Sequence, residues 1–264
     1  MLFNNEPEIQ QLKREQICSL FFFFVPMKFE LIAFLSSFLT KKRNDLFNKV
    51  LEQRSQYITV VLEDINQGQN AGAVLRTCDC LGIQNIFVVE NHNHFKIDRE
   101  VALGASKWLT IRHFHAEKDK IEKEPNDNHS KTCIETLKNE GYRILATTPH
   151  ESGVPPEKID LSKGKIAIVF GSEVNGISDT FRDQADEFIR IPMYGFTESY
   201  NISVSAAIIL YQLNQQLRES KIDWTLSADE KESIRLEWLR RNLKRARQLE
   251  EKFYQERQIL SNEK

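Results

Sequence analysis

Three polar segments of the chain combine glycines with the side chains that most often bind ligands or carry out chemistry. The first spans residues 63–76 (EDINQGQNAGAVLR), the second 170–178 (FGSEVNGIS) and the third 191–203 (IPMYGFTESYNIS). Glycines let a ligand approach the backbone closely, and the free N–H groups of a following helix favour polar or anionic ligands. These three segments are therefore the candidate regions for binding and catalysis.

The glycine spacing of the second segment excludes two common phosphate-binding motifs. Gly171 directly follows a predicted strand, and Gly176 comes five residues later. The G-x-G-x-x-G pattern of dinucleotide-binding proteins is absent, and so is the G-K-[ST] of a Walker A loop. Glu173 lies between the two glycines, where it could bind a ligand, cap a helix or act in catalysis. A plain strand-to-helix turn remains the alternative.

Each segment also admits a purely structural interpretation. Asn70 is placed to cap the helix that follows, because asparagine accepts a free N–H well, and Ser178 could cap the next helix. Arg76 lies off the apolar stripe of its helix and could pair with Asp79 three residues on. Spacing alone favours that pair over a functional role for Arg76, so no segment is decisive by itself.

Alternating strand and helix patterns position these segments. Buried-strand patterns occur at 57–62, 85–90, 108–114, 142–147, 165–170 and 187–191. Helical patterns between them cover 70–81, 131–140 and 201–217. Strands separated by helices of this length predict an α/β domain with a mainly parallel sheet, over about residues 56–217. Ligands bind such sheets at the carboxyl ends of the strands, which is where the three segments lie.

Helical segments flank this predicted domain. Residues 27–55 are expected to form an N-terminal helical segment, and residues 218–264 a basic C-terminal helical tail. A capping box of Ser227 and Glu230 predicts one long polar helix that runs to the C-terminus.

Residues 1–26 form an extension whose apolar part covers 17–25. A run of this length is too short to span a bilayer, which needs about 20 residues. Glutamates occupy the region that would be basic in a signal peptide, and no small-x-small cleavage site follows. We therefore expect no secretion and no membrane association. An alternative left open is that Met27 is the natural start of the protein.

The composition excludes several classes of site. The four cysteines contain no C-x-x-C pair, so a structural zinc site and a disulfide framework are both disfavoured. We expect a reduced, cytoplasmic protein. Two H-x-H pairs, at 92–94 and 113–115, are interpreted as loop or surface histidines, because no further ligands complete a metal site. The net charge of −2 means that any nucleic-acid surface must be a local basic patch.

Considered together, the three segments resemble the three motifs of the SpoU/TrmH RNA methyltransferases. The matching stretches are NAGAVLRT at 70–77, then FGSEVNGIS, then IPMYGFTESYNISVSAA from residue 191, and the similarity covers about residues 40–217. The resemblance implies an α/β domain with a deep trefoil knot near its C-terminal end. It also implies S-adenosylmethionine as the methyl donor bound in the knot, a homodimer with the site near the subunit interface, and no metal. Knots are rare in proteins, so only the family resemblance supports this one.

The resemblance assigns roles to residues at matching positions. The residues implied in catalysis are Arg76, Asn70, Glu173, Ser199 and Asn201. The residues implied in the methyl-donor pocket are Thr147, Gly171, Ile191, Met193 and Tyr200. Tyr200 departs from the aliphatic residue that is more usual there, which would change the shape of the adenine pocket if its side chain makes the contact.

The chemistry of a ribose hydroxyl fits these roles. Methyl transfer from a sulfonium is an in-line displacement, so alignment carries much of the catalysis, and a proton must leave the hydroxyl. Arginine is locked in its charged form. We therefore expect Arg76 to act as an electrostatic clamp, with an RNA phosphate as the proton acceptor.

Two basic clusters are the expected RNA contacts. They comprise Lys41, Lys42 and Arg43 in the first cluster, and Arg240, Arg241, Lys244, Arg245 and Arg247 in the second. Such clusters bind phosphates, although nearby glutamates also allow a merely solvated helix.

The expected activity is ribose 2'-O-methylation of tRNA, at a D-loop guanosine. The first alternative is the same reaction on ribosomal RNA, but those enzymes often carry an N-terminal α/β RNA-binding domain for which residues 1–55 are too short and too helical. The second alternative is a non-catalytic RNA-binding protein that keeps the knot.

Overall fold

The computed structural model of the chain describes residues 27–115, 128–149 and 153–262. These residues form two compact units, one of them Glu52–Leu226 and the other built from the described parts of Met1–Leu51 and Ser227–Lys264. The predicted extension at 1–26, including its apolar run, lies outside the described residues. In the parts of the chain that are described, no helix is long and apolar enough to cross a membrane.

The unit Glu52–Leu226 is built on a parallel sheet. Its strands are β1 (Ile58–Glu63), β2 (Asn85–Glu90), β3 (Thr110–His115), β4 (Arg143–Thr147), β5 (Ile166–Phe170) and β6 (Glu187–Ile189). The strand order is β3-β2-β1-β5-β4-β6, and every neighbouring pair is parallel. The prediction of an α/β domain with a mainly parallel sheet is thus confirmed. Every residue of β1 and β5 is buried, as expected for central strands that are covered on both faces.

Helices accompany the strands and form most of the second unit. They are α1 (27–36), α2 (Lys41–Leu51), α3 (Gly68–Leu81), α4 (Arg99–Ala102), α5 (Asn128–Asn139), α6 (Asp179–Asp183), α7 (Ile202–Glu219), α8 (Ala228–Asn242) and α9 (Ala246–Asn262). Short 3-10 turns occur at Ala105–Lys107, Pro156–Lys158 and Leu161–Lys163.

The sheet has an apolar layer on each face. Side chains of β1 alternate between the two layers, because successive residues of a strand point to opposite faces. Val60 and Leu62 join one cluster with residues of α3 and α7, including Leu75 and Leu213. Val61 joins the other cluster with residues of α5 and α6. The two faces therefore hold α3 and α7 on one side and α5 and α6 on the other.

The second unit packs aromatic side chains between its helices. The rings of Phe47 on α2 and Trp238 on α8 lie 5.5 Å apart between centroids, and those of Phe34 on α1 and Phe253 on α9 lie 5.4 Å apart. Trp238 is almost completely buried. These contacts join segments that are about 190 or more residues apart in the chain.

The C-terminal region differs from its prediction. The capping box of Ser227 and Glu230 is present, but the single long helix is wrong, because the chain leaves the helical conformation between α8 and α9 and Leu243 is extended. The turn brings Arg240 of α8 against Glu250 of α9 at 2.8 Å. It also lets α9 place Phe253 in the aromatic contact with α1, which a straight helix would carry away from the unit.

Candidate active site

The sheet order brings the three polar segments to one edge. The first segment follows β1, the second follows β5 and the third follows β6. In the sheet, β1 and β5 are neighbours, and only β4 separates β5 from β6. Because all strands are parallel, their carboxyl ends meet at a single edge. The predicted convergence of the three segments is therefore present in the fold.

A chain of hydrogen bonds joins one residue from each segment. The side-chain amide of Asn70 donates to Oε1 of Glu173 at 2.7 Å, and the amide of Asn201 donates to Oδ1 of Asn70 at 3.1 Å. Asn70 is buried, whereas Glu173 and Asn201 are exposed. The buried asparagine thus acts as the connector between two groups that face solvent.

The two ends of this chain are themselves held by the backbone. Oδ1 of Asn201 accepts from the backbone N–H of Ser203 at 2.8 Å and caps α7. Oε2 of Glu173 accepts from the backbone N–H of Asn66 at 3.4 Å. Because the Asn201 oxygen is occupied by the cap, its amide nitrogen must point toward Asn70, and the hydrogen-bond chain has one direction.

The predicted N-cap role of Asn70 is wrong. Helix α3 begins at Gly68, two residues earlier than predicted, so Gly68 and Gln69 are helical rather than part of a loop. Gln67 occupies the N-cap position without a side-chain cap bond. The side chain of Asn70 is engaged with Glu173 and Asn201 instead, and these partners lie far away in the sequence, beyond the reach of a local capping rule.

The predicted pair of Arg76 with Asp79 is also wrong. The Asp79 carboxylate pairs with the buried Arg54. Arg76 is exposed, and it makes no hydrogen bond or ion pair with any residue that the structure describes. A guanidinium with five free donors is thus available to a ligand.

Arg76 lines a cavity of about 780 Å³ between α3 and α7. Other walls come from Ala73, Thr77, Ile191, Ala207, Ile208 and Tyr211. The lining is mostly apolar but includes Glu157 and Gln212, and Arg76 supplies a cationic group to it. Ile191, at the start of the third segment, connects this cavity to the carboxyl end of β6.

The glycines of the second segment are required by a close backbone contact. A Cβ atom on Gly171 would lie 2.1 Å from the carbonyl of Gly176, far inside any allowed contact. Ser172 and Gly176 exchange backbone hydrogen bonds of 2.9 and 3.0 Å, and Gly176 has a φ of +67°. The segment is therefore a tight turn, which we call the glycine turn (residues 171–178). Ser178 ends it and caps α6, as predicted.

Two of the positions assigned to the methyl donor, Thr147 and Ile191, lie at the carboxyl ends of β4 and β6, on the edge of the sheet where this turn also lies. Thr147 ends β4 and donates its hydroxyl to the Val169 carbonyl at 2.9 Å, while Ile191 follows β6. Met193 is half-buried and Tyr200 is 43% exposed in the third segment. Ser199 is exposed and makes no hydrogen bond with the described residues, so the structure does not join it to the Asn70 chain.

Two acidic residues at the end of β1 open the first predicted segment, but the sequence analysis assigned no role to either of them. Glu63 is buried, and Asp64 adopts a φ of +52°. Oδ1 of Asp64 accepts three successive backbone N–H groups, from Asn91, His92 and Asn93, at 2.8 to 3.1 Å. The sequence contained one signal for Glu63, because a carboxylate directly follows the apolar residues of a predicted buried strand (ITVVLE).

The histidine pairs and the basic clusters have mostly local partners. His113 lies 3.2 Å from Glu90, and the described residues contain no group of three or more metal-ligating side chains.

In the second basic cluster the ion pairs are Arg240 with Glu250, Arg241 with Glu237, and Arg247 with Glu251. Among the described residues, no hydrogen bond or ion pair involves the side chains of Lys41, Lys42, Lys244 or Arg245.

The comparison with known families decides the identity. The SpoU rRNA methylase family matches residues 57–211, more than half of the chain. The chain belongs to the SpoU methylase family. This SpoU protein is 38% identical over 213 residues to a protein of Borreliella burgdorferi named tRNA (guanosine(18)-2'-O)-methyltransferase. The alignment covers 81% of this chain and 91% of that relative.

Solved structures agree with this membership. The crystal structure of the Aquifex aeolicus TrmH/SpoU tRNA modifying enzyme superposes with a TM-score of 0.65 at 28% sequence identity. The aligned region covers 77% of this chain and 98% of that one. An AdoMet-bound rRNA methyltransferase from Sinorhizobium meliloti, at 20% identity and a TM-score of 0.51, shares the fold, with 63% of this chain covering 59% of that one. This protein therefore has the SpoU fold, and its three polar segments lie at one edge of the sheet.

Proposed function

We propose that this SpoU protein transfers a methyl group from S-adenosylmethionine to the ribose 2'-hydroxyl of a D-loop guanosine in tRNA. The observation that carries the proposal is the similarity to the Borreliella burgdorferi tRNA (guanosine(18)-2'-O)-methyltransferase over 91% of its length. The hydrogen-bond chain through Asn70 supports it, because it unites the three segments that the activity requires.

The carboxyl ends of β4, β5 and β6 are the proposed methyl-donor site. The glycine turn fits this role, since Gly176 is exposed and has open space where a Cβ would lie, so a ligand could approach its backbone closely. Thr147, Ile191 and Met193 would line the site, and Tyr200 would lie at its open side. S-adenosylmethionine supplies an electrophilic methyl group on a sulfonium, so the protein need only align the acceptor and remove its proton.

Arg76 is the proposed contact to the reacting nucleotide. Its guanidinium stays protonated and presents a fork of donors that matches phosphate geometry. Among the described residues Arg76 has no ion pair that a phosphate would have to displace. An RNA phosphate held at Arg76 can then accept the proton of the 2'-hydroxyl, while Arg76 stabilises the developing negative charge.

The Glu173–Asn70–Asn201 chain is proposed to keep the acceptor and donor sides of the site in register. Glu173 belongs to the glycine turn, whereas Asn70 lies on the same helix as Arg76, almost two turns before it. The hydrogen bond between Asn70 and Glu173 fixes α3 relative to the glycine turn. A misplacement of about 1 Å between reacting groups can cost on the order of 100-fold in rate, so this link matters for turnover.

A trefoil knot is proposed near the end of the unit Glu52–Leu226. Support comes from the backbone around β6: the Thr148 N–H donates to the Ile189 carbonyl at 3.0 Å, and the Val154 N–H donates to the Phe188 carbonyl at 2.8 Å. Residues 148 and 154 thus both bond to the backbone of β6, as expected if the chain is threaded there.

A homodimer that covers the cavity beside Arg76 is also proposed. Val204, Ile208 and Tyr211 lie on one stripe of α7 and are 45, 39 and 56% exposed. An exposed apolar stripe next to an apolar cavity is typical of an interface. We expect Ile208→Asp to convert the dimer to a monomer in sedimentation analysis. A wild-type protein that sediments as a monomer would contradict the proposal.

The proposed RNA surface lies on the second unit. The guanidinium of Arg43 donates to Oδ1 of Asn242 at 3.1 Å, so the start of α2 lies beside the turn between α8 and α9. The two predicted basic clusters therefore meet, and Lys41, Lys42, Lys244 and Arg245 are the cations there that have no described partner. Arg240, Arg241 and Arg247 are paired with glutamates and are expected to contribute less.

Other predictions from the sequence stay predictions. They concern the cytoplasmic location, the lack of a metal requirement, and the domain boundaries after residues 26, 55 and 217.

The test uses purified protein, radiolabelled S-adenosylmethionine and unmodified transcripts of tRNA and of ribosomal RNA. We expect label in tRNA at a D-loop guanosine, and no label when that nucleotide carries a 2'-deoxyribose. Label in ribosomal RNA alone would replace the tRNA proposal by the ribosomal alternative. Absence of label in every RNA would favour the non-catalytic alternative.

A further inference from the structure

The carboxylate of Glu63 lies beneath the proposed methyl-donor site rather than in it. Glu63 is the last residue of the central strand β1 and is 1% exposed. Its side chain points to the face of the sheet that holds α5 and α6, as shown by its contacts with residues of those regions. Buried carboxylates are costly to keep, so their partners indicate what they do.

The partners of Glu63 come from two different parts of the carboxyl edge. Oε2 accepts from the backbone N–H of Ser178, the last residue of the glycine turn, at 2.8 Å. Oε1 accepts from the hydroxyl of Ser130 on α5 at 2.7 Å, and Ser130 is itself fully buried. The Ser130 hydroxyl in turn accepts from the side-chain amide of Asn91, just after β2, at 2.8 Å. Glu63 thus links the glycine turn to a rigid internal network.

Among the described residues, no cation forms an ion pair with the Glu63 carboxylate. Burial is the main cause that raises the pKa of the Glu63 carboxyl, and the adjacent Asp64 raises it further. Hydrogen bonds from Ser130 and Ser178 act in the opposite direction and lower that pKa. A buried carboxylate without a cation costs stability, which a neutral side chain of equal shape would avoid.

We propose that Glu63 is a positioning residue for the methyl donor, because its carboxylate anchors the end of the glycine turn through the Ser178 N–H. This inference rests on the proposed function, in which that turn holds S-adenosylmethionine. The turn has two anchors in this scheme: Glu173 ties its middle to Asn70, and Glu63 ties its end to the sheet. A bond to a charged acceptor is roughly twice as strong as a neutral one, which is why a glutamate serves here better than a glutamine.

The substitution Glu63→Gln separates positioning from stability. The glutamine oxygen can still accept the Ser178 N–H, but without charge, and its amide can donate to the Ser130 hydroxyl. The buried charge disappears, so the melting temperature should stay equal to that of the wild type or rise. The glycine turn is held less firmly, so the Kd for S-adenosylmethionine should rise by about five- to tenfold, the difference between a hydrogen bond to a charged acceptor and one to a neutral acceptor.

The experiment measures three quantities on the full chain: melting temperature, Kd for S-adenosylmethionine by calorimetry, and KM for tRNA in methyl transfer. Ser130→Ala is the matched control, because it removes the bond to the other oxygen of the same carboxylate. We expect Ser130→Ala to lower the melting temperature and to leave the Kd for S-adenosylmethionine within about twofold of the wild type. Neither variant should change the KM for tRNA.

The outcomes separate this inference from the function on which it rests. An unchanged Kd for S-adenosylmethionine in Glu63→Gln, with an active wild type, would overturn the role of Glu63. So would equal losses in Glu63→Gln and Ser130→Ala, which would show a general effect of the core. If Glu63→Gln does not fold, Glu63→Asp, which keeps the charge but withdraws the carboxylate by one methylene from the Ser178 N–H, must raise the same Kd, or the inference is wrong. A wild type that binds S-adenosylmethionine but methylates no tRNA would contradict only the proposed function.

Discussion

Removal of the Asn70 and Glu173 side chains, singly and together, tests whether the hydrogen bond between them works as a unit in catalysis. Asn70→Ala breaks the link between α3 and the glycine turn, and Glu173→Ala breaks the same link from the other side. If the bond acts as one element, the double variant should lose much less activity than the product of the two single losses.

The structure sets the size of this coupling. The bond is short, 2.7 Å, and its acceptor is a carboxylate, for which about 1.5–3 kcal/mol is typical. Glu173 is exposed on its other side, so water screens it and the lower limit applies, about 1.5 kcal/mol. At about 1.4 kcal/mol per tenfold in rate, the coupling should be roughly tenfold.

Single-turnover methylation of tRNA at saturating S-adenosylmethionine is the assay, because it reports the chemical step without product release. Gln67→Ala is the control, since Gln67 accepts a neutral bond from the same Asn70 amide at 3.2 Å and lies outside the chain to Asn201. Its effect should remain below about threefold. Single losses that simply multiply in the double variant would refute the idea that this bond keeps the site in register.

Two further predictions concern the methyl-donor turn and the RNA surface. Gly171→Ala should raise the Kd for S-adenosylmethionine by more than about tenfold, because its Cβ would force the turn open, whereas Gly195→Ala, with nothing within 4 Å, should leave that Kd unchanged. Equal calorimetric values for the two variants would contradict this. Lys244→Ala with Arg245→Ala should weaken tRNA binding and reduce the slope of log K against log salt by about 1–2, whereas the paired Arg247→Ala should change it little. An equal change of slope from Arg247→Ala alone would place the RNA elsewhere.

The sheet could be predicted from the sequence because its strands are buried on both faces. Residues 57–62 form a continuous apolar, β-branched run, and residues 85–90 and 165–170 contain runs of four and five apolar residues. The observed strands differ from these three ranges by a single residue at most at each end. The order of the strands could not be obtained from periodicity, since it depends on which buried faces meet in the folded chain. The rule for parallel sheets predicted that the three segments lie at the carboxyl ends of the strands. Only the resemblance to SpoU proteins indicated that they belong to one site.

Local rules gave the wrong side-chain partners where contacts between distant parts of the chain decide. Local rules assigned Asn70 to a cap and Arg76 to Asp79, yet Asn70 bonds to residues 103 and 131 positions away and Asp79 pairs with Arg54. Likewise, no glycine or proline marks the break between α8 and α9, which depends on aromatic contacts with α1. The position of Glu63 was visible, but its partners at Ser130 and Ser178 were not.

The most direct test of the proposed activity is a map of ribose 2'-O-methyl groups in tRNA and ribosomal RNA from cells with and without this gene. Cells that lack it should lose the methyl group at one D-loop guanosine of tRNA and should regain it on expression of the wild type, but not of Arg76→Ala. An unchanged map of tRNA methylation in the cells without the gene would contradict the account.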